Sequence, residues 1–272
     1  MFTLVRKVDL NYTTNRIILM FSIITGIIGY FMTGSLSSGI SLAGSIFLTW
    51  ALTREVDPKH EYSAFLSAAL SLVNLFYFES LNLLVLFWII LLLRMISGVC
   101  GKSLTLVDFI VVFGFSVYLS VRNENSIYLI PFLIASVSLL FYNEKPRTSL
   151  VFSVLAVAVF LMESFHFNFL SISEPFVSPR IELLLMSVLI LFPAFTPSSR
   201  IAGVLDDRGT PVHVKRMNFS QKIFSFIVLL LYLFPGIGLN NLIIYYSIVA
   251  AVAIYPLIGR KSDFFLLFYT FS

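Results

Sequence analysis

The stretch LNLLVLFWIILLLRMI, residues 81–96, holds one charged side chain, Arg94, and would be apolar all the way round a helix. Such a helix lies at the centre of a large core or in lipid. The rest of the chain favours lipid. Of its 272 residues, 58% are hydrophobic and 12% are Asp, Glu, Lys or Arg, about half the charge of an ordinary soluble domain. Apolar blocks of this length would aggregate in water. In hydrocarbon they are what the solvent demands, because a helix satisfies its own backbone.

Comparable runs recur at 17–32, 36–52, 63–78, 81–96, 105–121, 126–142, 149–166, 181–197, 221–236 and 241–258. A run of about 16 residues covers about 24 Å. That is short of a hydrocarbon core of about 30 Å, so flanking turns or local thinning must supply the rest. The expected fold is an all-α polytopic membrane protein with about ten transmembrane helices in hairpins. It forms one transmembrane domain over 1–272, with possible halves 1–122 and 123–272. The lipid bilayer is its first partner, and the expected location is the cell membrane, multi-pass.

Charge sets the orientation. With the N-terminus cytoplasmic, 16 of the 18 Lys and Arg fall in inside segments, and only Arg122 and Arg180 fall outside. Positive side chains resist translocation, most strictly in short loops. A missed or invented helix midway would scramble this alternation, so both termini are expected in the cytoplasm. The first run follows a basic start (Arg6, Lys7, Arg16) without a small-residue cleavage site after it, and reads as a retained helix rather than a secretory signal. Cys100 is the only cysteine, which excludes an intrachain disulfide. The basic residues are spread singly over many loops, so nucleic acid is not an expected partner.

The most charged passage, TREVDPKHEYSAF at 53–65, joins the second helix to the third on the cytoplasmic side. Arg54 and Lys59 satisfy the orientation rule. Asp57 before Pro58 reads as an N-cap followed by proline at the first helical position. Glu61 faces the positive end of the helix dipole. Glu55 alone lacks a structural task. The rival is a divalent-metal or phosphate site built from Glu55, Asp57, His60 and Glu61; helix ends explain more of the pattern.

A second charged passage, VLDDRGTPVHVKR at 204–216, lies in a cytoplasmic loop, 198–220, between helices eight and nine. Adjacent Asp206 and Asp207 point apart and have no third carboxylate one turn on. A small β-hairpin turned by Asp206-Asp207-Arg208-Gly209 is therefore expected rather than a metal site. Its edge would offer a protein partner strand addition. Thr105-x-x-Asp108 is a capping box opening helix five. Arg94 closes helix four, where a long cation snorkels to the interface. With Arg54, Glu55, Asp57 and Asp206, these two make up the candidate cytoplasmic polar site.

On the other side, Glu163-x-x-His166 has the i, i+3 spacing of metal ligands in helical bundles. A di-metal site needs two such pairs and two further carboxylates, and the chain has three histidines in all. No metal and no cofactor is expected. Glu163 still interrupts an apolar run, and with His166, Glu174 and Arg180 it forms a candidate outer polar site. Plain capping and interfacial anchoring is the competing explanation.

Gly-x-Ser-x-Gly, the P-loop and His-Glu-x-x-His are absent. So is any Asp-rich pair like those of membrane prenyltransferases or CDP-alcohol phosphotransferases. Three functions fit. A small transporter or permease-like protein for an uncharged or lipid-like substrate would use five plus five spans as inverted halves, and would show a midplane cavity between helices one and six. In topology and length alone it resembles the drug/metabolite transporters. A membrane enzyme acting on a lipid or polyprenyl phosphate would bring Glu55 and Asp57 near Asp108 or Asp206 around an open basin. A non-catalytic scaffold subunit would show only close-packed helices.

Overall fold

The computed structural model describes residues 2–6, 8–76, 81–170, 178–196, 201, 203–234 and 238–269, with only the backbone course for 179, 239, 240 and 257–269. Among these residues the chain is helical throughout. The helices are α1 (Thr13–Thr33), α2 (Leu36–Val56), α3 (Glu61–Leu70), α4 (Leu83–Ser97) and α5 (Leu106–Arg122), then α6 (Leu129–Phe141), α7 (Pro146–His166), α8 (Pro179–Leu191), α9 (Val214–Leu233) and α10 (Leu239–Tyr269). A 3-10 turn, Ser71–Phe76, continues α3. Each of the ten expected runs overlaps one of these helices. Three of them, α1, α2 and α7, are long and apolar enough to cross a membrane.

The stretch 81–96 supplies the middle of the bundle. From Val85 to Ser97 nearly every side chain of α4 is buried, packed against α2, α5, α6 and α9. Trp88 donates its indole N–H to Ser116 Oγ of α5 at 2.9 Å, and its ring meets Tyr128 edge-on. Helices farther out do the reverse. Met20, Phe31, Ile110, Val154 and Leu183 are among many large apolar side chains that α1, α5, α7 and α8 expose. Apolar surface this broad does not belong in water. The chain is a membrane-associated helical bundle.

Small residues set the closest helix contact. A Cβ on Gly39 of α2 would stand 2.7 Å from the carbonyl oxygen of Gly26 in α1. Backbone thus meets backbone there, as in small-residue crossings of membrane helices.

Helix ends sort into two sets. At one end, contacts connect the N-terminal segment, the α2–α3 turn, the α4–α5 turn, the α6–α7 turn and the start of α9. At the other end, Ser41 meets Leu81, Asn82 meets Asn241, and Ser120 meets Glu163. Most of the described basic side chains gather at the first end, here called the basic end.

Two expectations are revised. Pro58 drives Asp57 out of helical geometry (φ −129°, ψ 73°); α2 therefore stops there, and α3 starts at Glu61, not Pro58. In the loop 203–213 the expected hairpin is cut down to a single antiparallel bridge, Leu205 to Pro211, flanked by backbone hydrogen bonds from Asp206 N–H to the Thr210 carbonyl and from Val212 N–H to the Val204 carbonyl. The pairing goes no further because Val214 onward is drawn into α9. α10 runs through Pro256 to Tyr269. Lys7 of the basic start lies outside the described residues.

Candidate functional site

Glu55 is the anchor of the basic end. It projects from the last turn of α2 and is almost wholly buried. Arg94 Nε of α4 donates to its Oε1 at 2.8 Å, and Arg6 Nη1 lies 3.5 Å from the same oxygen. Arg6 also donates from Nη2 to Asp207, while Arg94 Nη1 donates to the Leu4 carbonyl at 3.0 Å. Arg94 points into this cluster rather than out toward the interface.

Asp108 performs two tasks. The expected capping box is present at the start of α5. Its carboxylate also accepts from the Thr3 N–H at 2.6 Å and the Thr3 hydroxyl at 2.8 Å. Leu4 is buried beside it, so residues 2–6 act as a clasp across the bundle end.

A second arginine closes the neighbouring side. Arg216, at the start of α9, donates to Glu144 and from Nε to the Ile96 carbonyl at 2.8 Å. Its guanidinium lies over the Tyr142 ring. This satisfies carbonyls that α4 leaves orphaned at its C-terminus.

The other candidates are held locally. Asp57 faces His60 Nδ1 at 2.9 Å, and Arg54 pairs with Glu61 at 2.8 Å. Asp206 accepts from the N–H groups of Arg208 and Thr210 and from the Thr210 hydroxyl. The Thr210 hydroxyl, against a smaller opposing effect of burial, leads in holding its carboxyl below the usual range; the two N–H groups and the Arg208 charge assist. Among the described residues, no three His, Cys, Asp or Glu side chains converge as a metal site would require.

Two cavities bear on these residues. One, of about 240 Å³, opens at the basic end between Arg6, Arg54, Pro58, Lys59, Val99 and the stretch 203–205. The other, of about 330 Å³, is an apolar groove between α1 and α2. Neither lies between α1 and α6, the place expected of a transporter cavity.

Inward from Glu55 runs a seam of small polar side chains. Ser45, Thr49 and Thr53 recur every fourth residue on one face of α2. Ser63, Ser67 and Ser71 do the same along α3 and into its 3-10 turn, and all six are buried. Thr53 and Ser67 share a hydrogen bond of 2.6 Å across the contact. Most of these hydroxyls also donate to a carbonyl of their own helix, Thr49 to Ser45 at 2.6 Å and Ser67 to Ala64 at 2.8 Å. Asn74 follows Ser71 by three residues, on the same face of a 3-10 turn. It is buried, and among the described residues neither its amide oxygen nor its nitrogen has a partner.

At the opposite end, Glu163 is buried and accepts from the Ser120 hydroxyl. His166 is exposed against the Phe167 ring, Arg180 is exposed in the first turn of α8, and Glu174 lies outside the described residues. Among the described residues no ion pair joins Glu163 to Arg180. Sequence reasoning missed Thr3, Glu144, Arg216 and the seam. The fourfold Ser/Thr spacing was a readable signal for the seam; nothing marked the clasp. Comparison with known protein families, curated proteins and solved structures found no match.

Proposed function

We propose that this is a ten-span integral membrane protein with its basic end in the cytoplasm, acting as a small transporter-like protein for an uncharged polar solute. The positive-inside count supports the orientation, and the one-to-one overlap of ten runs with ten helices supports the span number. One observation carries the transport reading: the buried amide of Asn74, unpaired at the end of a hydroxyl-lined seam. An unpaired buried amide costs about 1–3 kcal/mol, and a purely structural bundle gains nothing by it. Interrupted helices are where membrane carriers commonly build solute and ion sites, and α3 gives way to a 3-10 turn just before Asn74.

The lipid-phosphate enzyme has less support. Its carboxylates, Glu55, Asp57, Asp108 and Asp206, are each engaged by neighbouring side chains. The scaffold reading shares the close packing but leaves Asn74 without a use.

The test needs no substrate. In a Cys100→Ser background, Thr53→Cys and Ser67→Cys should react with a membrane-impermeant thiol reagent from the cytoplasm, and Ser45→Cys and Asn74→Cys from outside. If all four stay silent while Arg147→Cys reacts, the transport reading falls and a scaffold remains.

A further inference from the structure

The cavity at the basic end has a lining of unusual chemistry. Arg6, Arg54 and Lys59 face it, together with Pro58, Val99 and residues 203–205, and among the described residues no carboxylate lines it. The acids that pair with these arginines stand elsewhere around them. Glu55 lies buried behind Arg6, Asp207 takes Arg6 Nη2, and Glu61 takes Arg54 Nη1. A guanidinium has five N–H donors. These contacts engage the two Nη atoms of Arg6 and one of Arg54, and they fix both planes without exhausting them. Lys59 is exposed and makes no hydrogen bond or ion pair among the described residues.

We infer that this cavity binds a phosphate-bearing anion. The inference rests on the cytoplasmic placement of the basic end, and it is independent of the solute seam. Two guanidiniums held in place keep unengaged N–H groups that can donate to phosphate oxygens, and a free lysine adds a mobile point charge. The volume, about 240 Å³, equals roughly eight waters at about 30 Å³ each. That admits a phosphate with a small ester substituent. The three cations come from two separate pieces of chain: Arg6 from the N-terminal segment, and Arg54 and Lys59 from the end of α2 and the turn that follows it. Nothing in helix capping or in the orientation rule requires them to converge on one cavity. The shared chemistry is a phosphate monoester, and it is available as an anionic lipid headgroup or as a soluble phosphate ester.

Binding is measured on the full chain in lipid nanodiscs. One arm compares discs of phosphatidylcholine with discs containing phosphatidic acid, reading bound lipid by native mass spectrometry. The other titrates glycerol 3-phosphate and inorganic phosphate into phosphatidylcholine discs. Enrichment of phosphatidic acid alone identifies the lipid source, and saturable binding of the soluble esters identifies the free one. Lys59→Ala touches no fold contact and should weaken whichever binding is seen at least tenfold. Lys59→Ala with Arg54→Ala should abolish it, and Lys215→Ala on α9 should leave it unchanged. Absence of binding in both arms overturns the inference, as does equal weakening by Lys59→Ala and Lys215→Ala. Neither result bears on the seam, which the thiol-accessibility experiment tests separately.

Discussion

Thr3 and Asp108, separated by 105 positions, are joined by two hydrogen bonds, from the Thr3 N–H at 2.6 Å and its hydroxyl at 2.8 Å. The carboxylate that caps α5 is therefore also the latch for the N-terminal segment. Cys100 reports on that latch, because its thiol lies 3.8 Å from the Leu4 carbonyl. Burial first, and then the Glu55 charge, push the Cys100 thiol up to about 11. At pH 7.5 it should stay protonated and react slowly with maleimide, since the thiolate is the nucleophile. Thr3→Val or Asp108→Asn should accelerate labelling at least tenfold by freeing residues 2–6. Unchanged labelling would show that the clasp does not cover Cys100 in solution.

Glu55→Ala leaves Arg94, and in part Arg6, without a counter-charge in a nearly dry site. Breaking a buried pair by removing one partner costs about 3–5 kcal/mol. Thermal unfolding in mild detergent should fall steeply for Glu55→Ala. The double variant Glu55→Leu with Arg94→Met should recover much of the loss. A Glu55→Ala protein that kept its stability would argue that this carboxylate is held for chemistry.

Asp206 makes the turn at 205–211 sensitive to acid in a definite direction. Its carboxyl titrates below the ordinary range because the Thr210 hydroxyl, ahead of the turn's N–H groups, favours the charged form. The stabilisation is complete above the unfolded carboxylate value of about 3.9 and disappears as pH falls through the lower folded value. Comparison of wild type with Asp206→Asn should show the difference between their unfolding temperatures shrinking below pH 4. A difference that widened on acidification would reverse the sign assigned to Asp206.

Gly39→Ala inserts a methyl against the Gly26 carbonyl at 2.7 Å and Tyr30 Cβ at 3.1 Å. Backbone cannot yield as a side chain does, so α1 must move off α2. Overpacking of this kind costs about 1–3 kcal/mol. Cysteines placed at Ile23 and Ala43 should crosslink less efficiently in the variant. Gly34→Ala is a control for a different cause: no neighbour stands within 4 Å of its Cβ, and its φ of 67° makes any loss one of backbone strain alone.

The ten helices were legible because each is a run of apolar side chains bounded by polar ones. The capping box at Thr105 and Asp108 was legible because it is closed within four residues. The role of Glu55 was not. Its partners Arg94 and Arg6 lie 39 and 49 positions away, and neither spacing carries a local signature. Asp57 misled for a local reason, since the proline that suggested a helix start also prevents Asp57 from entering one.

Composition and periodicity by themselves established a chain of apolar helices with its cations concentrated in alternate connections, because the solvent a residue tolerates is a property of that residue and its near neighbours. Which connections meet, and that Arg6 joins Arg54 and Lys59 around one cavity while Asn74 is left unpaired among the described residues, was decided by tertiary packing. Contacts between residues far apart in sequence depend on helix order and rotation, and single side chains do not encode those.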